Sequence, residues 1–307
     1  MSTATQKVVI VGVTGQTGEP IAQGLINSGK FSVIGTVRPE SLNKPIVKDL
    51  QAIGVSIVPL DWQTAPAAEL EALLKGVDTV ISACNWEALR DQTRLVDAAK
   101  VAGVKRFIPC DWGTICPPGE MKIEDLKRTI HEYIFKAGVP WTIIAVGFWN
   151  EIFFPPLAEE ASYGGWLYQS FGPGNLKSAV VGRKNIGKLV ARIIDDPETI
   201  GQRVLAHEDE VTNDEAWALA EKYAPGKLGS KRVRISNDEL ENKIQDNAEQ
   251  VSVYAVWLEY QRNMHVTGHN TEAFAKETGW LIARERYADL KLQSADEWAE
   301  GAYFTKD

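Results

Sequence analysis

The chain of 307 residues is poor in cysteine, with three. Cys84, Cys110 and Cys116 include no Cys-x-x-Cys spacing, so neither a disulfide framework nor a zinc site is indicated, and each is read as a buried or incidental thiol. Long apolar runs are missing: nothing approaches the roughly 20 residues of a bilayer span. Residues 1–6 lack the basic and apolar parts of a secretory signal, so a cytoplasmic location is expected. A surplus of cations is missing as well, since 33 Lys and Arg stand against 41 Asp and Glu, a formal charge of −8. Nucleic-acid binding, which needs clustered cations, is not expected. What remains is a protein with 44% hydrophobic residues, enough for one large domain or two moderate ones, acting on a small molecule as a monomer or homodimer.

What is present begins at the amino end. Val8-Val9-Ile10-Val11 runs into Gly12-x-x-Gly15-x-x-Gly18, and a helical pattern follows over 20–28. A buried strand entering a helix through a glycine turn aims backbone N–H groups and the positive helix end at a pyrophosphate, and glycines let it approach. A Cβ at Gly12, Gly15 or Gly18 is expected to intrude. The next strand pattern, 31–37, is closed by Arg38, with Lys44 shortly after. An NAD site usually offers a carboxylate there for the ribose 2′-hydroxyl, whereas Arg38 suits a 2′-phosphate. The expected cofactor is therefore NADPH, with contacts at Gly12, Thr14, Gly15, Gln16, Thr17, Gly18, Arg38, Lys44, Asp61, Ala83 and Cys84.

Apolar periods of two and of 3.6 alternate through the first half. Strands are expected over 8–13, 33–37, 56–60, 79–83, 106–109 and 141–146, and helices over 69–74, 88–102 and 123–136. This order predicts an α/β protein: a Rossmann-type doubly wound parallel sheet, whose carboxyl edge carries the site. Residues 1–154 are expected to form the NADP-binding domain. Residues 155–307 are expected to form a smaller, mostly helical substrate-binding region, with 179–206 returning to the sheet. Helices are read over 186–194 and 214–222, strands over 203–206 and 232–235, and a largely helical stretch over 237–307. Between 148 and 171 lies an aromatic-rich, Pro- and Gly-broken segment that reads as a lid or pocket wall: Phe148, Trp149, Phe153, Phe154, Tyr163, Trp166, Tyr168 and Phe171. The alternative is a surface loop anchored by its rings.

One further absence matters. A Tyr-x-x-x-Lys pair, the usual acid and positioning base of short-chain dehydrogenases, does not occur on the 123–136 helix, where Ile123 stands four residues before Lys127. The helix carries Lys127, Arg128 and His131 instead. Together with the glycine turn, Thr36-Val37-Arg38, Lys105-Arg106-Phe107-Ile108-Pro109-Cys110-Asp111-Trp112-Gly113 and Gly138-Val139-Pro140-Trp141-Thr142, this resembles the NmrA-like and isoflavone-reductase-like group of atypical short-chain dehydrogenases. That group includes the phenylcoumaran benzylic ether reductases. Asn185-Ile186-Gly187 and the stretch 195–200 extend the resemblance beyond the amino half.

The resemblance implies an NADPH-dependent reductase in which Lys127 is catalytic, placed to hydrogen-bond the nicotinamide ribose and to stabilise charge developing on the substrate. His131, one turn further, is read as sharing that face and that role, against the alternative of a satisfied helix histidine. Asp111 and Trp112 replace the group's usual Glu-Phe and keep a carboxylate and an aromatic near the nicotinamide. Gly147-Phe148-Trp149 departs from the group's Asn-x-Phe. Substrate contacts are assigned to Trp112, Phe148, Trp149, Phe153 and Trp166. Without a tyrosine acid, the site suits hydride addition to a conjugated acceptor such as a quinone methide, enone or iminium. The alternatives are a dinucleotide-sensing regulator without turnover, as in the NmrA branch, or non-reductive chemistry. His265 and His269 share a metal-ligand spacing, but Gly268 between them and the lack of a carboxylate partner argue against a metal.

Overall fold

Four consecutive β-branched residues, Val8 to Val11, are wholly buried, the pattern of a strand covered on both faces. They form the heart of β1 (Gln6–Val11), which pairs in parallel with β2 (Phe31–Val37) and β4 (Thr79–Ser82). With β3 (Ser56–Pro59) and β5 (Arg106–Ile108) the sheet has the order β3-β2-β1-β4-β5, all parallel. Its connecting helices are α1 (Gly18–Asn27), α2 (Pro45–Ala52), α3 (Ala67–Leu74) and α4 (Gln92–Ala102). The α2 helix goes beyond the elements read from sequence. Pro45 occupies its first turn, where a missing N–H costs nothing.

The computed structural model describes residues 5–158, 164–249 and 252–304, so Tyr163 lies outside the described residues. These fall into two compact units. The first draws on Met1–Trp112, Leu126–Ala145 and Lys184–Ala206, and the second on Gly113–Asp125, Val146–Arg183 and His207–Asp307. The expected boundary after residue 154 is thus replaced by several crossings of the chain. One lies within α5 (Lys122–Ala137).

The first unit continues with β6 (Thr142–Ala145), and Phe107 bridges Trp141 in parallel at its threshold. After leaving for the second unit, the chain returns as α7 (Arg183–Asp195) and β10 (Gln202–Leu205), the latter parallel to β6. Two contacts secure this return. The α1 and α7 backbones touch at Gly24 and Gly187, where a Cβ on Gly187 would stand 1.9 Å from the Pro20 carbonyl oxygen. The buried Arg106 guanidinium donates to the Ile193 and Asp196 carbonyls at 2.9 and 3.0 Å. Residues 179–183, expected to return as well, stay in the second unit because their strand hydrogen-bonds there.

In the second unit, β7 (Phe148–Trp149) runs parallel to β9 (Lys177–Val181), which β11 (Asp209–Thr212) joins antiparallel. A separate parallel pair is β8 (Gln169–Phe171) with β12 (Val233–Ile235). Around them lie α6 (Asn150–Phe153), α8 (Asn213–Tyr223), α9 (Asn237–Asp246), α10 (Val253–Arg262), which passes into a π-helical turn at Asn263–Thr267, and α11 (Glu272–Glu277). The short β13 (Leu281–Ile282), α12 (Ala283–Arg286) and α13 (Ala295–Tyr303) end the described chain. Capping boxes at Thr212–Glu215 and Ser294–Glu297 set the starts of α8 and α13. The aromatic segment read as a lid is largely core: Phe148, Phe153, Phe154 and Phe171 are buried in one cluster with Trp217, Trp257 and Leu258.

Candidate active site

The glycine turn follows β1 directly. Gly12 has φ +76°, and a Cβ there would stand 2.3 Å from the Ala83 carbonyl oxygen, while one on Gly18 would stand 2.2 Å from the Gly12 oxygen. Both glycines are required by the protein's own backbone. Gly15 differs from the expectation: its φ is ordinary and its Cβ would lie 3.2 Å from the Gly12 oxygen, a tight but adjustable contact. Within the chain, then, Gly15 is less constrained, and its need for a bare backbone arises from whatever approaches the turn. The Gly15 N–H closes the turn onto the Gly12 carbonyl at 3.0 Å. Thr17 precedes α1 with no side-chain cap, the condition in which an anion satisfies the first-turn amides. Thr14 is half-buried beside it and Gln16 is exposed.

Arg38 stands two residues past Thr36, the last β2 residue paired with β1, so it lies on the same sheet edge. Its side chain is 58% exposed, with Nε 3.6 Å from Glu40 Oε1. An exposed pair of this kind is worth about 0–1 kcal/mol, whereas a phosphate held by a guanidinium fork is worth about 1.5–3 kcal/mol, so a phosphate wins the competition. Lys44, also exposed, precedes α2. Asp61 follows β3, but its carboxylate accepts the Gln63 N–H at 3.1 Å and the Thr64 hydroxyl at 2.9 Å, so a local turn already engages the group expected to face the cofactor.

Ala83 and Cys84 follow β4, where the Gly12 turn rests on their peptide. Asp111 follows β5, and α5 delivers Lys127 and His131 to it from one helix face. Lys127 Nζ is 3.8 Å from Asp111 Oδ1, and His131 Nε2 is 3.3 Å from Asp111 Oδ2. All three are buried, at 3–7% exposure. Burial pushes the Asp111 carboxyl upward, but the neighbouring His131, the Lys127 ammonium and the Arg128 guanidinium outweigh it and hold the group below the ordinary carboxylate range. Among the described residues, Asp111 Oδ1 nevertheless has no hydrogen-bond partner, Lys127 Nζ standing beyond hydrogen-bond reach. A buried, ionised oxygen without a donor is costly, and a ribose or substrate hydroxyl is the kind of group that would satisfy it. The donor set, the bare turn and the uncapped helix all fit a dinucleotide.

Trp112 is buried and its indole N–H donates to the Ser82 carbonyl at 2.8 Å, so it supports the strand ends and has no N–H left for a substrate. In the second unit, Phe148 and Phe153 pack with centroids 6.4 Å apart and serve the core. Trp149 is only partly buried. Arg183 lies over its ring at 5.6 Å, and its indole nitrogen has no hydrogen-bond partner among the described residues. Trp166 packs on Tyr254 at 4.4 Å. Gly147 explains the departure from Asn-x-Phe: at φ +72° its Cβ would meet the Ala179 oxygen at 2.3 Å, so β7 can lie against β9 only with glycine here. His265 packs between Phe153 and Phe171, and burial pushes its pKa down to about 4. His269 Nδ1 lies 2.6 Å from Glu120.

Sheet order, glycine turn and strand-end residues together define a Rossmann-type dinucleotide-binding protein. The chain belongs to the NmrA-like family, whose model matches residues 4–273. It is 33% identical to asnovolin J 5′,6′-dehydrogenase nvfM of Aspergillus novofumigatus, over 97% of this chain and 95% of that one. It is 26% identical to phenylcoumaran benzylic ether reductase Pyrc5 of Pyrus communis, over 95% and 97%. The solved structure of AtPrR2 with NADP+ and (+)pinoresinol superposes with a TM-score of 0.81 at 23% identity, covering 97% of this chain and 99% of that one.

Proposed function

We propose that this NADPH-dependent oxidoreductase of the isoflavone reductase-like type moves a hydride between the nicotinamide and a carbon conjugated to a carbonyl, iminium or aromatic system of a small metabolite, with Lys127 as the catalytic residue. The observation that carries this reading is the buried Asp111–Lys127–His131 group at the end of β5, with one Asp111 oxygen in ion-pair range of Lys127 but without a hydrogen-bond partner among the described residues. Relatives named as reductases and as a dehydrogenase support it.

Gly12, Gly15 and Gly18 admit the pyrophosphate to the uncapped start of α1, and Arg38 with Lys44 takes the 2′-phosphate. Bound there, NADPH supplies the hydride. Lys127 donates hydrogen bonds to the ribose and to the substrate atom on which negative charge develops. Asp111 orients the buried ammonium from 3.8 Å, and His131 stands 3.3 Å from the other carboxylate oxygen. No tyrosine acid stands four residues before Lys127, so a substrate whose charge delocalises over a conjugated system is favoured over a simple ketone. Among the expected substrate contacts, Trp149 keeps an indole nitrogen without a hydrogen-bond partner among the described residues. The dehydrogenase relative favours a second direction, desaturation of a saturated ketone or related compound with NADP+, which the same groups serve in reverse.

Incubation with NADPH and a panel of enones, iminium ions and quinone-methide precursors, followed at the reduced nicotinamide absorbance, tests the reading. Turnover of a conjugated acceptor, or NADP+ reduction by its saturated product, is expected. Tight NADPH binding with no turnover in either direction across the panel would overturn it. Arg38→Ala should raise the KM for NADPH about 10- to 100-fold, from the lost charge-assisted contacts, and leave that for NADH unchanged in steady-state kinetics.

A further inference from the structure

Two of the three cysteines meet at the carboxyl edge of the sheet, a juxtaposition that no local spacing encodes. β4 and β5 are neighbouring parallel strands whose last paired residues are Ile81 and Ile108. Cys84 lies three residues past the first and Cys110 two past the second. The Cys110 thiol donates to the Cys84 carbonyl at 3.1 Å, and the Cys110 N–H donates to the Gln92 side chain at 2.8 Å, which holds the thiol toward β4. Cys84 is partly exposed and Cys110 is buried. Both adjoin the proposed site: the Gly12 turn presses on the Ala83–Cys84 peptide, and Asp111 is the residue after Cys110.

We propose that Cys84 and Cys110 are a redox-modification site, in which hydrogen peroxide joins the two thiols in an intramolecular disulfide across the floor of the cofactor cradle. The Cys84 thiolate attacks one peroxide oxygen. An S–O bond forms, the O–O bond breaks, and hydroxide leaves to take up the thiol's proton as water. The Cys110 sulfur then attacks the Cys84 sulfenic acid. The S–S bond forms, the S–O bond breaks, and the departing hydroxide carries the Cys110 proton away as a second water. Two thiols lose two electrons and one peroxide gains them.

The order of roles follows from the surroundings. The Cys110 thiol beside it holds Cys84 below the ordinary thiol value, against burial, and Ser82 adds to the effect. That makes Cys84, which is also the accessible one, the attacking thiolate. Cys110 is pushed well above the ordinary value, chiefly by its hydrogen bond to Cys84 and by burial. Cys110, buried and held against β4 by its hydrogen bond to the Cys84 carbonyl, is the thiol left to resolve the sulfenic acid. The disulfide ties Cys84 to β5 and shifts the peptide on which the Gly12 turn rests. The effect on NADPH rests on the cofactor reading above, whereas the disulfide itself does not.

The test treats the full chain, without cofactor, with hydrogen peroxide, then alkylates it and maps its peptides by mass spectrometry. A Cys84–Cys110 linked peptide lacking two hydrogens is expected, with the titratable thiols falling from the three present to one, Cys116, and recovering with dithiothreitol. Cys116→Ser should still form the link, while Cys84→Ser and Cys110→Ala should not, with circular dichroism confirming that both are folded. Retention of all thiols, a Cys84 sulfinic acid beside an alkylated Cys110, or a link to Cys116 or to a second copy would overturn the proposal. In a parallel titration by tryptophan fluorescence, the linked protein should bind NADPH at least tenfold more weakly than the reduced one. Equal affinities would overturn the coupling of the disulfide to the cradle. A reduced protein that does not bind NADPH at all would overturn the cofactor reading instead, and the peptide map would then decide the thiol pair by itself.

Discussion

Replacing Lys127 with methionine should lower kcat by roughly 10²- to 10⁴-fold, the range expected when a positioned proton-bearing group is removed from a transition state. The change preserves much of the side chain's length and apolar body, so the space beside Asp111 stays filled. What it removes is the ammonium 3.8 Å from Asp111 Oδ1. The NADPH dissociation constant should move far less than kcat, because the proposed pyrophosphate and 2′-phosphate contacts, the glycine turn and Arg38, lie elsewhere along the sheet edge. Asp111 then loses one of the charges that compensate its burial. Stability should therefore fall by about 1–3 kcal/mol, with His131 sparing it a larger loss. Single-turnover kinetics with thermal melting separates the two effects. A variant that melts earlier and turns over at the wild-type rate would leave Lys127 a structural residue.

Gly12→Ala is the second large effect, and it reaches the cofactor through the backbone. The new methyl would stand 2.3 Å from the Ala83 carbonyl oxygen on a residue at φ +76°. Left-handed strain alone costs about 1–2 kcal/mol in a non-glycine residue, and the collision with backbone adds to it, so a total near 3 kcal/mol is expected in urea denaturation. NADPH binding should be lost in whatever fraction remains folded, since relief requires the turn to lift off β4. Gly15→Ala is the informative contrast. At an ordinary φ and 3.2 Å from the Gly12 oxygen, it should cost under about 1 kcal/mol of stability yet weaken NADPH at least tenfold. If both variants lost stability alike and bound NADPH alike, the distinction between a glycine demanded by the fold and one demanded by the ligand would fail.

Much of the first unit was legible because its signals are local. Val8 to Val11 announce a strand buried on both faces, Gly12 announces the turn, and Lys127 with His131 at a spacing of four announces a shared helix face. The second unit was harder to read. β7, β9 and β11 are two to five residues long and owe their existence to partners 29 to 35 positions away, as Phe148 pairs with Val180 and Val180 with Asp209. So short a strand carries almost no periodicity of its own. The aromatic segment misled for a related reason: clustered rings broken by Pro and Gly describe a pocket wall and a core equally well until their neighbours are known.

By itself, then, the sequence determined the dinucleotide fold, its glycine turn and the side chains available for chemistry, because each is written in a span of a few residues whose spacing is set by helix or strand geometry. Tertiary structure alone decided which of those side chains meet. Asp111 is near Lys127 and His131, and Cys110 near Cys84, because parallel strands distant in sequence end side by side and a helix packs back over them. The same packing decided that Gly147 and Gly187 must lack a Cβ, and that Trp112, Phe148 and Phe153 spend their bulk on the interior. Proximity of that kind depends on how the whole chain closes, and no local pattern encodes it.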